Sequence, residues 1–315
     1  MSGPDVLTFG ESMVSFRSEG PLAQGVQQVT RVAGAESNVA IGLARLGHTV
    51  AWAGRVGADG FGALILRELR AEGVDTTHAV VDAERPTGLM FVEQRTADLA
   101  RVDYRRTGSA GAAVHPGDIA AALGTGPRIL HLTGITGALS DSARDTVQWV
   151  AGAARTAGAQ VSLDVNFRAR LWSREQARAM LGPLARHAAY VIAGDDELDL
   201  VADGNEEQGA AQLLGAGARA VVVKRGALGA TLHTSDGRVD LPALAVTGVD
   251  TIGAGDAFCA GFLSGVLDGL EPAACLRRGI VTGAYAASVR GDWEGAPRRD
   301  ELAALDQQTS GVTLR

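Results

Sequence analysis

The chain has 315 residues, of which 46% are hydrophobic and 21% charged, and 29 basic against 36 acidic side chains give a formal net charge of −7. This composition is ordinary for a globular protein, and the length allows one large α/β domain or two smaller ones without a disulfide or a structural metal. The acidic balance, with no Lys/Arg tract, excludes the electrostatic footprint of a nucleic-acid or membrane partner.

The start of the chain, MSGPDVLTFGESM, has no basic stretch followed by an apolar one. Every apolar run is interrupted by Gly, Arg, Asp or Glu well before the roughly 20 residues that a membrane span needs. We therefore expect a cytoplasmic protein. Two cysteines, Cys259 and Cys275, are too few for a disulfide framework and are predicted to be small core side chains.

Short apolar runs alternate with longer helical patterns along most of the chain. The predicted strands are 6–9, 50–53, 129–132, 161–165, 190–193 and 220–224, and the predicted helices are 37–46, 61–71, 142–157, 174–184 and 206–214. This alternation predicts a Rossmann-like, doubly wound α/β fold, in which a mostly parallel sheet is covered by helices on both faces.

Residues at the helix ends support this prediction. Three glycines follow predicted helices, where a left-handed residue ends a helix, and three short polar residues precede helices as candidate N-caps. They are Gly47, Gly73 and Gly158, and Asp59, Ser140 and Ser173.

Two segments, about 12–33 and 86–108, alternate apolar and polar residues with no helix after them. They predict either a small antiparallel sheet that covers a cleft, as a lid, or edge strands of the main sheet. No repeat or Pro/Ser-rich linker divides the chain. We therefore expect one domain over residues 1–310, with the lid segments inserted, and a frayed tail at 311–315.

The strongest chemical signal is DTIGAGD at 250–256, directly before a helical pattern. Gly253, Ala254 and Gly255 are small enough to expose backbone N–H groups at a helix start, which predicts an anion site suited to phosphate. Asp256 in the same turn could accept a proton from an attacking hydroxyl. The alternative is an ordinary capping aspartate.

Residues 250–256 resemble the C-terminal signature of the ribokinase-like PfkB family of carbohydrate kinases, and GAESNVA at 34–40 resembles the N-terminal signature. One departure is Ala33-Gly34, where the family has two glycines. The resemblance implies an ATP-dependent sugar kinase with a small β-sheet lid. It makes Asp256 the general base, with Gly253, Ala254 and Gly255 as the anion hole.

Within the family, several segments are most similar to the 2-keto-3-deoxygluconate kinases: FGESMV at 9–14, YRRTGSA at 104–110, HLTGIT at 131–136, LDVNFR at 163–168 and RGDWEGAP at 290–297. This implies transfer of phosphate to the terminal C6 hydroxyl of a sugar acid. The implied substrate-binding residues are Gly34, Ala35, Glu36, Ser37, Asn38, Met90, Tyr104, Arg106, Arg168, Asp256 and Asp292. Alternatives are a fructokinase or ribokinase type of PfkB kinase, or a non-catalytic sugar or nucleotide sensor.

The resemblance also implies ATP and Mg²⁺, with a monovalent cation as a further candidate. The implied ATP-binding residues are Asn166, Arg168, Lys224, Gly226, Gly229, Gly253 and Gly255, although 223–229 alone could be a plain hairpin turn with a surface lysine. At the family's Asn-x-x-Glu motif this chain has GDDE at 194–197, so Glu197 is expected near the metal without binding it directly. An acidic helix start is the alternative for Glu197.

An acidic chain that handles ATP and a sugar acid is expected to concentrate positive charge in its cleft. Arg106 and Arg168 could each present a planar fork to a carboxylate, and Lys224 could neutralise phosphate. Lid strands with an apolar face predict a homo-oligomer that pairs through the lid. The six histidines are scattered without zinc-ligand spacing.

Overall fold

The computed structural model of the chain describes residues 3–96, 99–246, 248 and 250–302, so the predicted tail at 311–315 lies outside the described residues. The strands are β1 (Val6–Phe9), β2 (Met13–Ser18), β3 (Gln28–Ala33), β4 (Val50–Ala53), β5 (Arg55–Gly57), β6 (Val80–Asp82), β7 (Leu89–Thr96), β8 (Leu99–Arg105), β9 (Ile129–Thr133), β10 (Gln160–Asp164), β11 (Ala188–Gly194), β12 (Ala220–Lys224), β13 (Ala230–Thr234) and β14 (Gly237–Leu241). The α-helices are α1 (Ala35–Arg45), α2 (Gly60–Ala71), α3 (Pro116–Leu123), α4 (Gly134–Gly137), α5 (Asp141–Thr156), α6 (Arg174–Ala185), α7 (Glu206–Gly215), α8 (Ala254–Leu267) and α9 (Pro272–Ala287).

The main sheet of the described chain has eight strands in the order β14-β13-β12-β11-β10-β9-β1-β4. From β12 to β4 all neighbours are parallel, whereas β13 and β14 continue the sheet antiparallel. The predicted doubly wound α/β fold is confirmed. All six predicted strands are present, with ends that differ by at most a few residues, but the β13–β14 hairpin was not predicted.

Side-chain caps explain where several helices begin. Asp59 accepts hydrogen bonds from the amides of Phe61 and Gly62, and Ser140 and Ser173 each accept one from the third helical residue. At the other ends, glycines adopt φ of +85°, +82° and +82°, conformations that favour glycine over other residues. These are Gly47, Gly73 and Gly158. The predicted caps are therefore confirmed.

Helices cover both faces of the main sheet, as two separate hydrophobic clusters show. Val147 of α5 and Leu163 of β10 belong to the cluster on one face, and Ile41 of α1 and Phe262 of α8 belong to the other. Both predicted core cysteines are buried and unbridged. No helix in the described ranges is long and apolar enough to cross a bilayer.

A separate sheet of four strands, in the order β3-β2-β7-β8, is formed by the two segments that lacked helices. β2 pairs antiparallel with β3 and parallel with β7, and β7 pairs antiparallel with β8. We call this the small sheet. Because none of its strands pairs with the main sheet among the described residues, the alternative of edge strands is wrong.

Candidate active site

A cavity of about 420 Å³ lies where the small sheet faces the carboxyl ends of the main-sheet strands. Open α/β sheets generally bind ligands at this edge. It brings together most of the predicted site residues, from both sheets and from α1 and α8: Gly34, Ala35, Glu36, Asn38, Met90, Tyr104, Arg106, Asn166, Arg168, Glu197, Lys224, Gly253, Gly255, Asp256 and Asp292. Four predicted residues do not line it: Ser37, Ala254, Gly226 and Gly229.

A second cavity, of about 480 Å³, lies beside the start of α7. It shares Asp196 with the first cavity and is lined by Asn205, Glu206 and their neighbours. None of the predicted site residues lines it. The smaller cavity is therefore the candidate active site, because the predicted chemistry converges there.

The turn before α8 requires glycine at Gly253. Gly253 has φ +77°, and a Cβ there would lie 1.7 Å from the backbone oxygen of Asp292. The helix begins at Ala254, so its first amides have no intrahelical acceptors, and the amide of Ala254 donates instead to the backbone oxygen of Thr251 at 3.3 Å. A Cβ on Gly255 would lie 3.7 Å from Nζ of Lys224. The predicted anion site thus has a cation beside it.

Asp256 lies in the first turn of α8 and lines the cavity. Nδ2 of Asn38, on α1, donates a hydrogen bond to Oδ2 of Asp256 at 2.8 Å. Burial raises the pKa of Asp256 to about 7, and the charge of Asp164 adds to the effect, while the Asn38 hydrogen bond opposes it. A carboxylate with a pKa near neutrality suits a general base.

Lys224, at the end of β12, forms a buried ion pair with Asp164 at the end of β10. Its Nζ lies 2.9 Å and 3.1 Å from the two carboxylate oxygens. Burial alone would lower the pKa of Lys224, but the Asp164 carboxylate outweighs it and raises that pKa above its ordinary value. Lys224 is also the only lysine in the sequence, since every other residue counted as Lys or Arg is an arginine. It is not the surface lysine of the alternative interpretation.

The segment after β10 carries Asn166 and Arg168, and Glu197, which follows β11, supports its backbone. Asn166 has φ +41°, and among the described residues it is the only non-glycine with positive φ. Glu197 accepts hydrogen bonds from the amides of Phe167 and Gly194, each at 2.7 Å, one to each carboxylate oxygen. Burial and the nearby charge of Asp164 raise the pKa of Glu197. Its carboxylate therefore holds the backbone that presents Asn166 and Arg168.

Arg106 lines the sugar side of the cavity but is already paired. Its Nε donates to Oε2 of Glu11 at 2.6 Å, its Nη2 contacts the same carboxylate, and Ser109 donates to the other oxygen at 2.6 Å. Glu11 is 2% exposed and was not predicted as a site residue. Glu11 therefore sets the orientation of Arg106, and contact between Arg106 and a substrate carboxylate stays a prediction.

Two residues of the N-terminal motif are buried and hydrogen-bonded within the protein. Glu36 accepts hydrogen bonds from Thr133 and Thr136, both at 2.6 Å, and burial raises its pKa. Ser37 donates to the backbone oxygen of Gly34 at 3.0 Å and does not line the cavity. Contact between Ser37 and the sugar is thus not supported by the geometry, because the helical period turns it into the core.

All three cations expected in the cleft line it, but the structure contradicts the expectation that positive charge is concentrated there. Its lining has three basic side chains, Arg106, Arg168 and Lys224, against seven acidic ones: Glu11, Glu36, Asp164, Asp196, Glu197, Asp256 and Asp292. Two of the bases are paired with carboxylates. Arg168 is exposed and donates to the backbone oxygen of Phe167 at 3.0 Å, with no carboxylate partner among the described residues. It is the cation most accessible to a ligand.

Gly226 and Gly229 lie in the hairpin turn that joins β12 to β13. A Cβ on Gly229 would lie 2.1 Å from the backbone oxygen of Leu241, so this glycine is required by packing within the chain. Gly226 has φ +53° and open space around it. The hairpin interpretation is confirmed for the backbone, and neither glycine reaches the cavity.

The residues present fit a loosely held divalent cation rather than a cage of protein ligands. No group of three His, Cys, Asp or Glu side chains in the described ranges is arranged to hold a metal ion. Both oxygens of Glu197 accept amides, and both oxygens of Asp164 contact Lys224. Mg²⁺ keeps several waters and takes few protein ligands, and the acidic excess favours a cation here.

Comparison with known proteins gives a consistent result. The sequence model described as "pfkB family carbohydrate kinase" matches residues 4–299. The chain is 38% identical over 312 residues to the 2-dehydro-3-deoxygluconokinase of Bacillus subtilis (strain 168), covering 96% of this chain and 95% of the relative. It is 33% identical over 307 residues to the enzyme of the same name from Thermoproteus tenax, covering 95% and 93%.

Two solved structures show the same architecture. A PfkB protein from Polaromonas sp. JS666 has a TM-score of 0.86 and 37% identity, covering 96% of this chain and 100% of that one. A fructokinase with bound ATP from Xylella fastidiosa has a TM-score of 0.85 and 25% identity, covering 97% and 99%.

Proposed function

Since the chain belongs to the pfkB family of carbohydrate kinases, we propose that it transfers the γ-phosphoryl group of ATP to the C6 hydroxyl of 2-keto-3-deoxygluconate (2-dehydro-3-deoxygluconate). The product is 2-keto-3-deoxy-6-phosphogluconate. The observation that carries the proposal is Asp256, which lies beside the start of α8 in a cavity shared with Lys224. Two curated relatives of this activity, each matched over nearly the whole chain, support the choice of sugar.

Asp256 is the proposed general base. Its carboxylate takes the proton from the C6 hydroxyl as that oxygen bonds to the γ-phosphorus, and the bond from this phosphorus to the β–γ bridging oxygen breaks to release ADP. Gly253 and Gly255, which line the cavity at the start of α8, are the proposed anion hole for the charge that develops on the transferred group, whereas Ala254 of the predicted set does not line the cavity. Asn38 holds the Asp256 carboxylate in place through its hydrogen bond of 2.8 Å.

ATP binding is assigned to Lys224, Asn166 and Arg168, with the 223–229 hairpin near the nucleotide. Asp164 keeps Lys224 charged, and Glu197 holds the backbone before Arg168. When bound, Mg²⁺ would neutralise phosphate charge, and Asp164 and Glu197 would hold it through water. The requirement for a monovalent cation is tested by comparing salts: if it exists, activity should be higher in a potassium salt than in a tetramethylammonium salt.

The sugar acid is assigned to the side of the cavity that the small sheet covers. Arg168 offers the substrate carboxylate a fork that no carboxylate of the described residues engages, and Arg106 offers the part of its guanidinium that Glu11 does not engage. Tyr104, Met90 and Asp292 line the same space.

We assign the protein to the cytoplasm because the proposed reaction uses ATP.

A substrate panel tests this function. With ATP and Mg²⁺, we expect the highest kcat/KM for 2-keto-3-deoxygluconate, compared with 2-keto-3-deoxygalactonate, 5-keto-2-deoxygluconate, fructose and ribose. Arg168→Gln should raise the KM for the sugar acid about 10- to 100-fold, because a charged hydrogen bond to the carboxylate is lost. Arg168 also faces ATP in this proposal, so the KM for each substrate is measured separately.

The matched control is Arg186→Gln, since Arg186 is an exposed arginine outside the cavity. Its kinetics should match those of the wild type. A preference for neutral sugars, or an equal loss in both variants, would overturn the assignment to a sugar acid. If no sugar in the panel causes ATP consumption, the alternative of a non-catalytic sugar or nucleotide sensor is favoured.

We also propose that residues 1–310 act as one kinase domain in which the small sheet is a lid, and that two copies pair through this sheet. Val29 of β3 is 50% exposed, leaving an apolar side chain for a partner copy to cover. Light scattering at assay concentrations should give at least a dimer mass, and Val29→Glu should lower it. A monomer mass would contradict the proposal.

A further inference from the structure

Arg17 connects the small sheet to two loops of the main body. It lies on β2, and its side chain is only 16% exposed. Nη1 lies 2.5 Å from Oδ2 of Asp250, and Nη2 lies 3.0 Å from Oδ2 of Asp292. The Nε also donates to Asp292, at 3.3 Å. One guanidinium therefore joins β2 to two residues, Asp250 and Asp292, that each follow Arg17 by more than 200 positions in the sequence.

The two carboxylates lie in the two loops that pack at the start of α8. Oδ1 of Asp250 accepts the amide of Ile252 at 3.0 Å, which bends the chain toward Gly253. Oδ2 of Asp250 also lies 3.4 Å from the amide of Gly291, which ties this loop to the Asp292 loop. The backbone oxygen of Asp292 packs so closely on Gly253 that a Cβ would lie 1.7 Å away.

The local charges make Arg17 the counterion of this junction. The side chain of Asp292 is 3% exposed and faces the negative charges of Asp250 and Glu294, with Arg17 as the opposing cation. Glu294 has its own partner, since Arg31 on β3 lies 2.9 Å from it. Without Arg17, both carboxylates would lose the donor that they share, and the two loops would lose their connection to β2.

We propose that Arg17 is a positioning residue for phosphoryl transfer, which holds the two loops so that the first amides of α8 keep their anion-binding geometry. This inference rests on the proposed function, because it assigns the anion hole to that helix start. It also links the placement of the small sheet to the chemical step, since the guanidinium comes from β2. An anion hole stabilises charge that develops in the transition state, so its distortion should lower kcat more than it weakens substrate binding.

The test compares Arg17→Met and Arg17→Lys with the control Arg31→Met. Arg31 lies on the neighbouring strand and also pairs with the loop at 291–296, but its side chain is 47% exposed. We expect Arg17→Met to lower kcat about 10- to 100-fold, with each KM within about threefold of the wild type. Arg17→Lys should retain an intermediate kcat because it keeps the charge and loses the fork. Arg31→Met should match the wild type.

A second measurement needs no turnover. Hydrogen exchange in the peptide covering 250–257 should be faster in Arg17→Met than in the wild type and unchanged in Arg31→Met. Equal exchange in all three proteins, or a kcat of Arg17→Met within about threefold of the wild type, would overturn the inference. If the wild type phosphorylates no sugar, the proposed function fails, whereas hydrogen exchange still decides whether Arg17 holds this loop. Should Arg17→Met fail to fold, Arg17→Lys supplies both readouts.

Discussion

Replacing Asp256 with asparagine is expected to lower kcat about 10³- to 10⁴-fold. Asparagine preserves the shape of the side chain and can still contact Asn38, but its amide cannot accept the proton of the sugar hydroxyl. The loss falls on the chemical step, so the KM for ATP and for the sugar should change little. Steady-state kinetics on the purified variant measure the effect.

The matched control is Asp268→Asn, at the other end of the same helix. Asp268 pairs with Arg278 and Arg299, far from the cavity lining, so its kcat should stay within about twofold of the wild type. Near-normal turnover in Asp256→Asn would remove Asp256 as the base.

Asp256→Asn should also differ from the wild type in how its stability depends on pH. Burial raises the pKa of Asp256 to about 7 in the folded protein, so the folded state binds this proton more tightly than the unfolded state does. The stability that this proton contributes is therefore fully present below pH 3.8, the ordinary pKa of the group, and is lost as the pH rises from there to about 7. Asp256→Asn removes this loss, and its Tm at pH 8 should exceed that of the wild type. A lower Tm would mean that the carboxylate stabilises the fold.

Replacing Lys224 with methionine should damage both stability and activity. Asp164, with a side chain 2% exposed, would keep its charge in the cavity wall without the cation 2.9 Å away. Loss of one partner of a buried pair costs about 3–5 kcal/mol, and the 19% exposure of the Lys224 side chain reduces this to about 2–4 kcal/mol. The KM for ATP should rise and kcat should fall, together about 100-fold or more in kcat/KM.

A double variant separates the two effects. In Lys224→Met/Asp164→Leu both charges are gone. The free energy of unfolding measured in urea should therefore recover most of what Lys224→Met lost. Activity should not recover, because no cation remains beside the start of α8. If the double variant regains wild-type kcat/KM, Lys224 serves the fold alone and its assignment to ATP is wrong.

Local patterns in the sequence were sufficient to predict the fold class, the caps and the helix start that carries Asp256. Each of these depends on residues within one or two turns of chain, as with Asp59 and the amides of Phe61 and Gly62. The β13–β14 hairpin also had a local signal, the sequence SDG at its turn, which the alternation of larger elements obscured.

The charge arrangement of the site could not be predicted in the same way. Glu11 and Arg106 are 95 positions apart, and Asp164 and Lys224 are 60 apart, so no spacing rule connects them. Only the packing of separate elements shows that two of the three cations expected in the cleft are paired with carboxylates. Ser37 was misplaced for a simpler reason, because a motif match does not say which face of α1 each residue occupies.

The sole lysine has a practical consequence for chemical labelling. Acylating reagents attack amines in their neutral form, and Asp164 keeps the one side-chain amine of this protein charged. Amine-directed dyes and cross-linkers should therefore leave the side chains of the folded enzyme almost unmodified. Any condition that separates Lys224 from Asp164 would make this amine reactive, so a single added mass on one peptide would report directly on the state of the ion pair.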